Sequence, residues 1–209
     1  MSARTSNLPT VILLFLVGFF SPACSRHGGI SLEDIEESNL ERLESFIKGG
    51  GNPDCVVMPY SGITALAFAA GQGNLKVVRL FVENGADIDL SGKYGGSPLF
   101  YGLGSGDRET IEFLIAAGAS LSVTTRFGES VLERAIATLE ADNNEIVTQL
   151  FHLSGAREME DTELLSLAEH AARHNHKFAF SMIASFLSEK PSAGYSQKLR
   201  ELTVEMESR

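Results

Sequence analysis

Glycines at 62, 95 and 128 stand 33 residues apart, and the same step links Thr64, Ser97 and Ser130, and Leu66, Leu99 and Leu132. Gly73 recurs as Gly106, and Gly85-Ala86 as Gly118-Ala119, again at 33. Self-similarity at one fixed period of this size marks a chain built by stacking a single supersecondary unit on copies of itself, because each unit is too small to bury its apolar face alone. A chain of 209 residues has room for one such short array and little else.

The residue types within the period point to a pair of helices. Thr64, Ser97 and Ser130 are placed to cap a helix N-terminus by accepting a backbone N–H. Pro98 suits the first helical position, where its missing N–H costs nothing. Ala69 and Ala70 are small enough to let neighbouring first helices approach. Gly73 and Gly106 fall where the first helix turns into the second, and Gly85 and Gly118 where the second ends in a left-handed residue. On the second helix, Val78, Phe81 and Val82 face inward, and Lys76, Arg79 and Glu83 are left for solvent.

Residues 62–70 (GITALAFAA) resemble the G-x-TPLHxAA stretch of the ankyrin repeat, residues 73–82 (GNLKVVRLFV) its GHxxVVxLLL, and residues 84–89 its xGAxxN. The next repeat follows as Gly95-Gly96-Ser97-Pro98-Leu99, Gly106-Asp107 and Gly118-Ala119-Ser120. The resemblance implies an all-α solenoid of helix pairs with short β-hairpin connections, about four to five repeats over residues 31–190, capped at both ends. Residues 31–54 match as a first repeat at a step of 35, followed by a hairpin two residues longer. Gly155-Ala156 closes a fourth repeat at a step of 37 from Gly118, so four extra residues fall near 140–144. Leu164, Leu165, Ala168, Ala171 and Ala172, then residues 178–187, read as a final helix pair. Residues 191–209 are a tail or an extra helix. The family's TPLH histidine is replaced by Ala67, Phe100 and Glu133, so the ladder of hydrogen bonds that it makes between repeats is missing, and a less regular stack is expected.

The first 23 residues read as separate from the array. Arg4 precedes an apolar run at 11–20 (VILLFLVGFF), and Ser21-Pro22-Ala23 supplies small residues before Cys24. That order is a secretory signal peptide, and the run is too short for a membrane span of roughly 20 residues. Residues 21–24 (SPAC) also resemble the bacterial lipobox, which would make Cys24 a lipidation site and residues 24–30 a short tether; ordinary cleavage after Ala23 is the alternative. Either route implies a periplasmic protein, touching the membrane only through an N-terminal lipid. Cys24 and Cys55 together give no disulfide framework.

Lys and Arg number 17 against 27 Asp and Glu, a net charge of −10. This excludes a nucleic-acid binder, whose affinity comes from neutralising phosphates. The glycine run 102–106 (GLGSG) lacks the Lys-Ser/Thr of a phosphate loop. His170, His174 and His176 form the densest set of metal-ligand types, and the reading from another class is a metal-binding enzyme built on them, although no Cys or carboxylate joins at a recognised spacing. Glu33, Asp34, Glu36, Glu37, Glu41 and Glu44 read as a solvated helical run, and Cys55 as a small apolar residue of a hairpin. Neither a catalytic residue nor a cofactor is expected.

What remains is a surface. Partners of ankyrin proteins usually lie against the hairpin tips and inner helices. By position these are Tyr60, Ser61 and Ile63, then Lys93 and Tyr94, then Arg126, Phe127 and Glu129, with Gln72 and Ser105 at inner-helix ends. Aromatic and Arg side chains dominate interface energetics. The resemblance implies a non-enzymatic protein–protein interaction module of the bacterial envelope, monomeric when free. Exported ankyrin proteins include immunity proteins that occlude a toxic effector with the concave face; others are partners of a catalase or another periplasmic stress-defence enzyme.

Overall fold

The structure is a computed structural model and describes residues 29–155, 159–189 and 195–208. The leader at 1–23, Cys24 and the tether up to residue 28 lie outside the described residues, as do Ala156 and residues 191–194 of the tail.

Helices pair in chain order: α1 (Leu32–Glu36) with α2 (Leu40–Lys48), α3 (Ala65–Gly71) with α4 (Leu75–Glu83), α5 (Pro98–Ser105) with α6 (Arg108–Ala116), α7 (Val131–Thr138) with α8 (Asn144–Leu153), and α9 (Asp161–Arg173) with α10 (Lys177–Glu189). The first helices stack as an inner layer, α1 on α3, α3 on α5, α5 on α7 and α7 on α9. A last helix, α11 (Tyr195–Glu207), covers the end of the stack by burying Leu202 and Met206 against α9 and α10. The architecture is the all-α solenoid read from the repeat.

The capping chemistry explains where each inner helix starts. The hydroxyls of Thr64, Ser97 and Ser130 accept from the backbone N–H groups of Ala67 (3.1 Å), Phe100 (3.4 Å) and Glu133 (3.1 Å). Each satisfies one of the donors that a helix N-terminus leaves open, worth about 1 kcal/mol. Pro98 occupies the first turn of α5. Leu66, Leu99 and Leu132, at one repeat position, are all buried, and truncating such a side chain to Ala costs roughly 2–5 kcal/mol. Ala69 and Ala70 are fully buried between α3 and α5, where a Cβ on Gly102 would lie 3.8 Å from that of Ala70. The glycine run at 102–106 is thus the packing face and the end of α5.

Several finer expectations are revised. On α4 the buried residues are Val77, Val78 and Phe81, and Val82 is half-buried. On α9 Leu167 is buried and Leu165 only half-buried. Asp34 does not belong to a solvated run: it is buried, its carboxylate accepts from the Ser31 backbone N–H (2.8 Å) in a capping box, and Arg42 pairs with it at 3.0 Å. Arg42 also donates to the Gly29 carbonyl at 3.2 Å, so the acidic N-terminal cap is stapled by one cation.

The four extra residues of the fourth repeat divide between a 3-10 turn at Ala141–Asn143 and an outer helix one residue longer than α4 and α6. Outer helix α8 touches α6 less than α4 touches α2 and α6. It packs on α10, as α4 packs on α6, and meets α6 through an Arg108–Glu145 ion pair.

Candidate functional site

Loops join α2 to α3, α4 to α5 and α6 to α7, and their tips stand side by side as fingers. The first is a hairpin of β1 (Val56–Met58) and β2 (Ile63–Thr64), antiparallel with Val56 opposite Thr64. Cys55 is buried at its base, and its carbonyl accepts from the Ala65 N–H at 2.9 Å. The second and third fingers, at 91–97 and 124–130, are held by isolated bridges, Gly95 to Thr125 and Thr124 to Ser130.

Backbone hydrogen bonds tie the fingers into a row. The N–H of Lys93 donates to the Ser61 carbonyl (2.7 Å), and the N–H of Arg126 to the Tyr94 carbonyl (2.9 Å). Further bonds cross at the loop bases, from the Asp87 N–H to the Asp54 carboxylate (2.7 Å) and from the Ser120 N–H to that of Asp89 (2.8 Å). These, with the Asn74 side chain on the Ile35 carbonyl (2.7 Å) and that of Asn143 on the Gly106 carbonyl (3.3 Å), stand between repeats where the family's histidine is lacking.

The row presents Tyr60 and Phe127, each 83% exposed, with Tyr94, Lys93 and Arg126 also exposed. Lys Nζ of residue 93 and the Arg126 guanidinium lie 5.8 and 5.9 Å from the Tyr94 ring centre, within cation–π range. Cationic and aromatic side chains therefore alternate along the tips of a chain whose net charge is strongly negative.

Other residues expected at this surface have structural partners. Ser61 and Ile63 are half-buried in the first finger. Ser105 is half-buried and donates to the Gly102 carbonyl at 2.7 Å, while Gln72 is exposed as the C-cap residue of α3. Glu129 is half-buried, 3.8 Å from Arg134.

The sequence reading missed a column on the inner helices α3, α5 and α7. Phe68, Tyr101 and Arg134 share one repeat position and are half-buried there. The Arg134 guanidinium lies 4.9 Å over the Phe100 ring, which meets Tyr101 edge-on at 6.1 Å. Burial raises the Tyr101 phenol above its ordinary range, and Arg134 pulls the other way. The 33-residue step would have found this column, but its chemistry changes from Phe to Tyr to Arg.

Ankyrin repeats, in three copies, match residues 34–125. Ankyrin repeats are thus shown over residues 34–125. The B-cell lymphoma 3 protein homolog of Mus musculus is 34% identical over 104 residues, which is 47% of this chain and 23% of the mouse protein. The match thus spans less than a quarter of that relative's length. Ankyrin repeats are protein-binding modules.

The C-terminal histidines are not gathered as a metal centre. The His170 and His174 rings lie with centres 4.5 Å apart at a tilt of 33°, while His176 Nδ1 accepts from the Ala179 N–H at 3.2 Å to start α10. Among the described residues no three His, Cys, Asp or Glu side chains converge as ligands. No helix among them is long and apolar enough to cross a membrane.

Proposed function

We propose that this protein is a non-enzymatic binding module of the bacterial envelope, which occludes one partner protein with its finger tips and concave face. The observation that carries this reading is the exposed row of Tyr60, Lys93, Tyr94, Arg126 and Phe127 on fingers tied together by backbone bonds. Large aromatic and cationic side chains on a preorganised scaffold bind without a heavy ordering cost. No acidic residue stands within 58–63 or 91–96, and Glu129 of the third finger lies 3.8 Å from Arg134, so the complementary partner surface is apolar and acidic.

The signal-peptide pattern at 1–23 and Cys24 supports a periplasmic location. A toxic effector neutralised there is the partner that fits an exported ankyrin module best. Affinity purification of the protein from envelope fractions, with and without Arg126→Ala and Tyr94→Ala, tests the reading. An envelope protein or secreted toxin recovered with the native protein and lost with both variants supports it. Recovery that ignores both variants, or cells equally sensitive to the effector with and without the protein, overturns it.

A further inference from the structure

Tyr101 and Arg134 each lie across a glycine of the preceding repeat. Gly71 ends α3 and Gly104 stands in the last turn of α5, 33 residues on. A Cβ on Gly71 would meet the Tyr101 Cβ at 3.6 Å, and one on Gly104 would meet Arg134 Nη2 at 2.8 Å. Any side chain at 104 would therefore push the guanidinium aside, and glycine keeps its place open. That place is where the fingers meet the inner helices. A Cβ on Gly96, at the base of the second finger, would lie 3.4 Å from the Tyr101 ring, and Glu129 of the third finger is 3.8 Å from Arg134 Nη1.

The guanidinium is held there without using its donors. None of its N–H groups makes a hydrogen bond among the described residues, and Nε is buried with no partner. Its ion-pair partner among those residues, Glu129, stands beyond hydrogen-bond reach. The Phe100 ring, 4.9 Å from the guanidinium carbon, steadies the cation through its face instead. Beside it, the Tyr101 hydroxyl makes no hydrogen bond among the described residues either, and burial keeps it protonated and a donor. A planar fork set on an aromatic ring, with its N–H groups unpaired, is suited to grip a carboxylate through two parallel bonds. Lys93 and Arg126 on the neighbouring fingers share its sign and draw an acidic group toward it.

We propose that Arg134, with Tyr101 beside it, grips an Asp or Glu side chain of the partner protein where the second and third fingers meet α5 and α7. Glu129 competes with that side chain for the same guanidinium. The inference rests on the protein-binding reading and deepens it, by placing the deciding acidic contact at the base of the fingers rather than at their tips.

The test pans a phage-displayed library of random peptides of about ten residues, long enough when extended to cross three repeats, against the full chain. Enriched peptides are expected to share an Asp or Glu, and changing that residue to its amide lowers affinity about tenfold or more. Arg134→Gln lowers it as much, and both changes together cost no more than either alone, because they remove one contact. Arg134→Lys recovers little, since a point charge lacks the fork. Two variants separate recognition from folding. Gly104→Ala improves an exposed helical position and melts no lower than the native protein, yet displaces the guanidinium and weakens binding. Glu129→Gln removes the competitor and tightens binding about threefold. Arg126→Ala, at a finger tip, adds its own loss to that of the amide peptide. Peptides without an acidic residue, no enrichment at all, or affinities that ignore Arg134→Gln and Gly104→Ala would overturn the proposal. An acidic residue coupled to Arg126 and not to Arg134 would overturn it as well, while leaving the protein-binding reading in place.

Discussion

The Arg126 N–H donates to the Tyr94 carbonyl at 2.9 Å, and the Arg126 guanidinium stands 5.9 Å from the ring of the same tyrosine. One finger is thus fixed to the next by its backbone, and the side chains most able to bind a partner are fixed with it. Tyr94 also takes Lys93 over its ring at 5.8 Å, so a single aromatic orders two cations.

The first prediction follows from that shared ring. Tyr94→Ala removes the common platform and should weaken partner binding by about 2 kcal/mol, as truncation of an aromatic hot spot does. Tyr94→Phe keeps the ring and should cost well under half as much. Both variants should melt near the native temperature, because Tyr94 is exposed. Isothermal titration against the purified partner, with a thermal melt of each variant, checks this.

The second concerns how closely the fingers approach. Gly95 (φ 75°) and Gly128 (φ 84°) share one repeat position and the left-handed conformation. A Cβ on Gly95 would lie 2.7 Å from the Thr125 Cα and 2.9 Å from the Arg126 nitrogen, whereas one on Gly128 would meet nothing within 4 Å. Gly128→Ala should therefore cost only the left-handed penalty, about 1 kcal/mol. Gly95→Ala should cost more than that again and should weaken binding, since it forces the second and third fingers apart. Urea unfolding of the two variants decides it; equal losses would mean that the fingers are not held at this spacing.

Much of this architecture was legible because the residues that set it repeat. Thr64, Ser97 and Ser130 keep one capping role at one spacing, and a hydroxyl three residues before a helical N–H admits few other readings. The acidic N-terminus was misread for the opposite reason. Asp34 sits among five exposed or half-buried carboxylates, and only the fold brings Arg42 and Ser31 to it. The column on the inner helices escaped because its chemistry does not repeat, although its spacing does.

Asn74 joins two repeats with one side chain, and the third prediction rests on it. Its Oδ1 caps α4 by accepting from the Val77 N–H, while its Nδ2 donates to the Ile35 carbonyl (2.7 Å) and the Ser38 hydroxyl (2.8 Å) of the preceding repeat. Asn74→Asp preserves the cap but replaces the donor with an anion against a carbonyl. It should destabilise by about 1–3 kcal/mol, the cost of leaving a part-buried acceptor unmet. Asn39→Asp, a cap in the first repeat whose bond to the Arg42 N–H is exposed, should be nearly neutral. Hydrogen exchange should show the Asn74→Asp loss first as faster exchange over residues 29–48.

The last prediction is a loss of stability in acid that originates at the α9–α10 turn. Burial holds the His176 imidazole below its ordinary pKa, and burial with the neighbouring His174 charge does the same for His170. Arg173 adds to the effect at His170 and Glu133 opposes it. His176 Nδ1 must also stay unprotonated to accept the Ala179 N–H that starts α10. With folded-state pKa values below those of the unfolded chain, the unfolded state binds more protons once the pH drops through about 6.5. The stabilisation is therefore complete above that value and is lost as the pH falls through it. The melting temperature should drop between about pH 7.5 and about pH 5.5. His176→Asn, which retains a side-chain acceptor for the α10 cap but does not titrate, should flatten that drop, and His170→Gln should flatten it further. A melting temperature that falls as steeply in the double variant as in the native protein would place the acid sensitivity elsewhere in the chain.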